Sequence, residues 1–256
     1  MRDSLAETLA AGPVFAVSCD VDWASEDCIA LLLDSIAGFG IVPTVFATHA
    51  SPVLAAAAAA GTIEAAIHPN FLAGSSHGTA PEEVIDTVLG FAPRARGSRS
   101  HAYSDSTRIA TALAARGIAY DSSPVCPLQA RLEPLFHWSG IVRLPVFWED
   151  DVHWLRQESW DFEPYRQAFA TPGLKIVDVH PFFFALNAPG AAFYESHKHR
   201  IKTLDRATAA SVRHPGPGCA EFFLRICDAM QGAVIRTLGE ICDWATVSGS
   251  APTPPG

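Results

Sequence analysis

The stretch Val14–Trp23 reads VFAVSCDVDW, an apolar run that ends in two carboxylates, Asp20 and Asp22, one residue apart. The run Val14–Cys19 is typical of a buried strand, because strands of parallel sheets are covered on both faces. Alternate residues of a strand point to the same side, so Asp20 and Asp22 can face one site. The pair could also serve as a cap or turn before the helix expected at Asp27, and this alternative stays open here.

Strand-like and helix-like segments alternate along the rest of the chain. Further strands are expected at 42–48, 63–68, 96–100, 118–121, 141–146, 173–180 and 234–237. Helices are expected at 27–39, 52–60, 81–91, 106–116 and 238–246, with a mostly helical region at 190–232. About seven strand-then-helix units in one domain predict an α/β fold, a single-domain deformed (β/α) barrel. We expect the barrel to occupy 1–247 and the segment 248–256, rich in Pro, Ser and Gly, to be disordered.

Composition and charge exclude several classes of protein. The chain has 256 residues, 49% of them hydrophobic and 18% charged, which is typical of a folded protein. Its net charge of -9 opposes binding to a phosphate backbone, so no nucleic-acid partner is expected. The N-terminus lacks a signal-peptide pattern and no apolar run approaches the ~20 residues of a membrane span. These features favour a cytoplasmic protein without a membrane span, and they leave the oligomeric state open.

Polar side chains also follow the later strands, where a barrel of this kind places its reactive groups. They are His68, Asn70, His77, Arg99, His101, Asp178 and His180. Imidazole nitrogens and carboxylate oxygens are ligands of zinc, so the set predicts a metal-dependent hydrolytic site. We expect His68 to be one ligand and His77 to supply a second imidazole, with His101 and Asn70 competing for that role. Each residue alone could also be an ordinary hydrogen-bonding group of a loop.

Two charged pairs could give this site its chemistry. Arg99 beside Asp20 would hold that carboxylate ionised and oriented. Asp178 and His180 stand one residue apart on an expected strand, so Asp178 could orient His180 and raise its pKa. A surface salt bridge and a purely structural Asp–His pair are the alternatives.

The segment 147–154 reads FWEDDVHW and follows another expected strand. Trp148 could stack on a sugar ring, and Glu149 and Asp150 could bind hydroxyl groups or amines. A solvated acidic loop with the tryptophan packed beneath it is an equally good interpretation.

Together these residues resemble the motifs of the polysaccharide deacetylases, the NodB-homology group of carbohydrate esterase family four, over about 14–190. Asp20 and Asp22 resemble the first motif, in which the first Asp is the catalytic base and the second a metal ligand. The segment from Glu64 to His68 resembles the second motif, which supplies metal-binding histidines.

The later motifs are matched as well. Arg99 resembles the third-motif arginine that orients the base, 144–151 resembles the fourth motif, and 177–181 resembles the fifth, which supplies a catalytic His180. The second motif usually carries a further histidine four residues after the first, where this chain has Leu72. The combination is most similar to an uncharacterised subgroup linked with lipopolysaccharide and surface-polysaccharide synthesis.

The resemblance implies a NodB-like barrel and a metal-dependent hydrolase that removes an N-acetyl group from an amino sugar or saccharide. It implies a divalent metal, with zinc as the first candidate, held by Asp22, His68 and His77. Two alternatives stay open: another C–N hydrolase on the same scaffold, and a metal-free sugar-binding protein with an inactive site.

The resemblance also divides the catalytic roles. Asp20 would act as the base, oriented by Arg99, and His180 as the acid, oriented by Asp178. Contacts to a saccharide substrate are expected from Asn70, His101, Trp148, Glu149 and Asp150.

Overall fold

The computed structural model describes residues 4–248 of the chain. Its strands are β1 (Pro13–Asp20), β2 (Thr44–Ala47), β3 (Glu64–Ile67), β4 (Gly97–Ser98), β5 (Tyr120–Asp121), β6 (Leu135–Phe136), β7 (Val142–Arg143), β8 (Val146–Glu149), β9 (Gly173–Asp178) and β10 (Val234–Ile235). Its α-helices are α1 (Leu5–Ala11), α2 (Glu26–Ala37), α3 (Pro52–Ala60), α4 (Pro81–Leu89), α5 (Thr107–Ala114), α6 (Asp150–Leu155), α7 (Arg166–Ala170), α8 (Pro181–Leu186), α9 (Ala191–His197), α10 (Arg206–Val212), α11 (Cys219–Ala229) and α12 (Leu238–Ser248).

One sheet carries the fold, in the order β6-β7-β5-β4-β3-β2-β1-β9-β8, with β10 beside β1. Among the described strands, every pairing is parallel except that of β6 with β7. Strand β8, at one end of this order, is also joined to the other side of the sheet, because residues at and just before its start bond to the segment at and after β5. Leu144 N–H donates to Asp121 O and Val146 N–H donates to Pro124 O, both at 2.8 Å. The sheet therefore forms a deformed (β/α) barrel, and the prediction of this fold is confirmed.

Strand β1 is an interior strand of this sheet. It pairs with β2, β9 and β10, and all its residues after Pro13 are buried. The register places Ser18 beside Asp178 and Asp20 beside Phe46. Because these pairings are parallel, the carboxyl ends of the strands meet at one edge and bring their polar side chains together.

The start of α2 settles one alternative left open by the sequence. Ser25 caps this helix, since its Oγ accepts a hydrogen bond from the Cys28 N–H at 3.3 Å. Asp20 and Asp22 therefore do not cap α2, although Asp22 does lie in the turn after β1, and both carboxylates are left for other roles.

The predicted disordered tail falls almost wholly on residues 249–256, which lie outside the described residues. Ser248 is the last residue of α12, so the domain boundary at 247 stays a prediction. Within residues 4–248, none of the helices combines the length and apolar character that crossing a membrane requires.

Candidate active site

Arg99 is a fully buried basic side chain at the carboxyl ends of the strands. Its Nη1 donates to Asp20 Oδ1 at 2.8 Å and also to Asp178 Oδ1. Its Nε and Nη2 donate to the backbone oxygen and the Oγ of Ser122, at 3.0 and 2.8 Å. Burial by itself lowers the pKa of Arg99, but the charges of Asp178 and Asp20 outweigh it and raise the pKa above its ordinary value. The guanidinium therefore stays charged and fixes the orientation of Asp20.

Asp22, His68 and His101 bring three possible metal ligands to one point. Asp22 Oδ1 lies 3.2 Å from His68 Nε2 and 2.9 Å from His101 Nδ1, and the two ring nitrogens are 3.4 Å apart. Burial by itself raises the pKa of Asp22, but hydrogen bonds with His101 and His68 outweigh it and hold the pKa well below its usual range. One carboxylate oxygen and two imidazole nitrogens match the three protein ligands of an open zinc site. This donor set therefore fits a divalent metal.

His77 lies apart from this group, which corrects the prediction that it completes the metal site. Its Nε2 donates to Thr48 O at 2.8 Å, and its Nδ1 accepts a hydrogen bond from the Asn70 N–H at 3.1 Å. Both ring nitrogens are thus engaged by backbone groups, so neither is free to bind a metal. Leu72, where the second histidine of the motif was expected, is 45% exposed. His101, on the loop after β4, instead brings the second imidazole to the group of Asp22 and His68.

His180 is oriented by Asp150, not by Asp178, which corrects a second prediction. Its Nδ1–H donates to Asp150 Oδ1 at 2.7 Å and its backbone N–H donates to Asp150 Oδ2 at 2.9 Å. Asp178 Oδ1 already accepts hydrogen bonds from Arg99 and from the Ser18 hydroxyl, the latter at 2.6 Å. Burial by itself lowers the pKa of His180, but the charge and hydrogen bond of Asp150 outweigh it and raise the pKa well above its ordinary value. The pair therefore favours an imidazolium that can donate a proton.

Glu149 is a buried carboxyl group, 3% exposed, that makes no hydrogen bond to any described residue through its side chain. One of its carboxyl oxygens lies within 4.8 Å of a carboxylate oxygen of Asp20, a carboxylate oxygen of Asp178 and a ring nitrogen of His180. Burial first, and then the charges of Asp151 and Asp178, raise the pKa of Glu149 well above its ordinary value. The environment therefore favours the protonated, neutral form of this side chain.

Two of the side chains expected to contact substrate have partners within the protein. Trp148 is buried, with its ring 5.3 Å from that of Phe222 and its Nε1 donating to His153 Nδ1 at 3.1 Å. It belongs to the core and is not available to a sugar, so that expectation was wrong. The Asn70 side-chain oxygen accepts a hydrogen bond from the Leu72 N–H at 3.0 Å, and a substrate contact from Asn70 stays a prediction.

Sequence reasoning gave His101 and Asp150 weaker roles than the structure supports. His101 stands two residues after Arg99, just as Asp22 stands two residues after Asp20. This shared spacing is a signal that favours His101 over His77 as a ligand. For Asp150 the sequence holds no comparable signal, because its partner comes from another strand.

A protein-family match covers most of the chain. Residues 17–198 match the family described as WbmS-like polysaccharide deacetylase. Among curated proteins, none matches the chain.

Among the solved structures that resemble this fold, two have TM-scores of 0.54 or more. One is a protein from Bordetella bronchiseptica assigned as a polysaccharide deacetylase involved in O-antigen biosynthesis. It is 28% identical, with a TM-score of 0.75 over 84% of this chain and 89% of that one. The other is a protein from Mycobacterium smegmatis assigned as a polysaccharide deacetylase. It is 15% identical, with a TM-score of 0.54 over 95% of this chain and 93% of that one, and this likeness shows the fold alone.

The raised pKa of Glu149 predicts a pH-dependent loss of stability that Glu149→Gln removes. Above the pKa that Glu149 has in the unfolded chain, the unfolded state has lost a proton that the folded state keeps, so stability falls as pH rises. Between the pKa of Glu149 in the unfolded chain and its higher pKa in the folded protein, each pH unit lowers the free energy of unfolding by up to about 1.4 kcal/mol. This corresponds to roughly 3 °C in Tm. We expect the Tm of Glu149→Gln relative to wild type to increase from pH 5 to pH 8.

Melting curves followed by circular dichroism measure this effect, and Glu133→Gln, at an exposed position, is the matched control. A Tm difference between Glu149→Gln and wild type that stays constant across this pH range would contradict the assignment.

Proposed function

Because the chain belongs to the WbmS-like polysaccharide deacetylase family, we propose that it removes the N-acetyl group from an amino sugar or saccharide by metal-dependent hydrolysis. The resemblance found in the sequence motifs is confirmed at the level of the family. The observation that carries the proposal is that a candidate base and a candidate acid flank the candidate metal ligands. Asp20 Oδ2 lies 3.7 Å from His68 Nε2, and His180 Nε2 lies 3.7 Å from Asp22 Oδ2.

Asp22, His68 and His101 would hold the metal in this proposal. Zinc is the first candidate, because two imidazoles and one carboxylate are ligands that it commonly takes in catalytic sites. When bound, a divalent cation polarises the acetamide carbonyl and acidifies a water molecule.

Asp20 is placed to accept the proton that the attacking water loses. Arg99 holds Oδ1, so Oδ2 is the oxygen left to take a proton. Asp178 accepts a hydrogen bond from the same Nη1, and Ser122 accepts hydrogen bonds from Nε and Nη2, so the guanidinium is kept in place. The base is therefore oriented before the substrate arrives, which lowers the entropy cost of the reaction.

His180 is placed to complete the hydrolysis. The carbon–nitrogen bond of the acetamide breaks, the water oxygen remains in acetate, and the departing nitrogen takes a proton from His180. Asp150 would hold the ring in the orientation that this transfer requires. The products are acetate and a free amino sugar.

The substrate class in this proposal comes from the relatives. The protein from Bordetella bronchiseptica is assigned to O-antigen biosynthesis, and a precursor of a surface polysaccharide is our candidate substrate for this chain. A cytoplasmic location is part of the proposal, and the substrate would then be a nucleotide-linked or lipid-linked amino sugar.

Acetate release is the first test of this function. We expect the wild-type protein to release acetate from N-acetylated sugars or sugar nucleotides, and we expect a chelator to stop release until zinc is restored. Asp20→Asn should lower kcat by about 10²-fold or more, because it removes the base, while zinc content stays near that of wild type. Asp243→Asn, in the exposed ion pair with Arg96, is the matched control and should leave kcat unchanged.

Other results of this assay identify the alternatives. Hydrolysis of non-sugar amides without acetate release from N-acetyl sugars would point to another C–N hydrolase. Sugar binding without bound metal or chelator-sensitive activity would point to an inactive binding protein.

Zinc affinity separates the two histidines that compete for the metal site. Loss of a group that only hydrogen-bonds to a metal ligand typically weakens metal binding by roughly 10- to 100-fold. His101→Ala should weaken zinc binding by more than this, because it removes a ligand itself. His77→Ala should keep zinc binding within that smaller range, because both ring nitrogens of His77 bond to backbone. Competition with a chromogenic chelator measures both affinities, and loss of zinc from His77→Ala alone would reverse the assignment.

A further inference from the structure

Trp23 lies directly beside the candidate metal ligands and has no role in the hydrolysis described above. It follows Asp22, and both residues have left-handed backbone, with φ of 57° and 46°. Such conformations cost free energy for residues other than glycine and cluster at functional sites. The Trp23 backbone N–H donates to Thr48 Oγ1 at 3.0 Å, so the strained turn is held by a side chain of the neighbouring strand end.

Two imidazole rings support the Trp23 indole. The His101 ring meets it edge-on, with centroids 5.2 Å apart and planes at 82°. The His77 ring lies 5.5 Å away at a tilt of 34°, and it cannot turn freely because Thr48 O and the Asn70 N–H engage its two nitrogens. His77 therefore backs an aromatic platform next to the metal ligands.

The Trp23 indole can offer a ligand both a hydrogen-bond donor and an apolar ring surface. Trp23 is half-buried, and its Nε1 makes no hydrogen bond to any residue within 4–248. By contrast, the indole N–H groups of Trp148 and Trp160 donate to His153 and to Pro189 O. Trp23 thus presents an aromatic surface and a free donor at the edge of the site.

We infer that Trp23 is a substrate-binding residue on which the sugar ring stacks, an inference that rests on the proposed function. One face of a pyranose ring presents C–H groups that pack on an aromatic ring, and its hydroxyl oxygens accept hydrogen bonds from an indole N–H. An anionic ligand fits less well, because Arg99 is fully buried and donates to Asp20, Asp178 and Ser122. A sugar on this platform would lie beside His101, one of the candidate metal ligands.

Binding of N,N′-diacetylchitobiose tests the inference separately from catalysis. Calorimetric titrations are made in an Asp20→Asn background, which prevents turnover and leaves Trp23 in place. Trp23→Ala should raise Kd about tenfold, as loss of an aromatic contact predicts, and Trp23→Phe should recover most of the affinity. Trp138→Ala is the matched control, since Trp138 is 55% exposed and lies in the turn before β7, at the opposite end of the barrel.

The two proposals fail in different ways. Three results would each overturn the proposed role of Trp23. They are an unchanged Kd in Trp23→Ala, no recovery of affinity in Trp23→Phe, and no saccharide binding by the parent Asp20→Asn protein. Binding that depends on Trp23 in a protein whose wild type releases no acetate would support the platform and refute the deacetylase. In the active wild type, Trp23→Ala should raise KM about tenfold while kcat and zinc content stay near those of wild type, whereas a purely structural role would leave KM unchanged or lower kcat along with zinc content.

Discussion

The buried ion pair between Arg99 and Asp20 is the interaction on which the rest of the site depends. A fully buried guanidinium without a partner would cost several kcal/mol, so Arg99 must be matched wherever the barrel closes. Its partners Asp20, Asp178 and Ser122 come from the ends of β1, β9 and β5. The hydrogen bonds of Arg99 that join these strand ends therefore also orient the candidate base.

The mouth of the barrel is rich in polar atoms that other side chains do not satisfy. Buried atoms without a hydrogen-bond partner among the described residues include His68 Nδ1, Tyr103 Oη, Glu149 Oε2 and Asp178 Oδ2. Such groups are rare in folded proteins and call for an explanation. Their concentration around one candidate metal site is the arrangement expected where a polar substrate is bound and a proton is moved.

Periodicity and motif spacing predicted the barrel and the strand ends that carry its polar residues. The DVDW stretch was decisive, because β1 is buried and ends at Asp20, and Asp22 lies in the turn that follows, so both carboxylates stand at the mouth of the barrel. Partners that depend on three-dimensional pairing could not be predicted in the same way. Asp150 reaches His180 across the β8–β9 pairing, and the loop hydrogen bonds of His77 leave no trace in the sequence. The match of Trp148 to a sugar-binding aromatic failed because core packing also favours tryptophan.

The position of the metal tests the central claim most directly. An anomalous-scattering map of zinc-loaded crystals, recorded at the zinc absorption edge, should show one peak within about 2.2 Å of Asp22, His68 Nε2 and His101 Nδ1. A peak at the neighbouring group of Asp20, Glu149, Asp178 and His180, or beside His77, would contradict the division into metal ligands, base and acid.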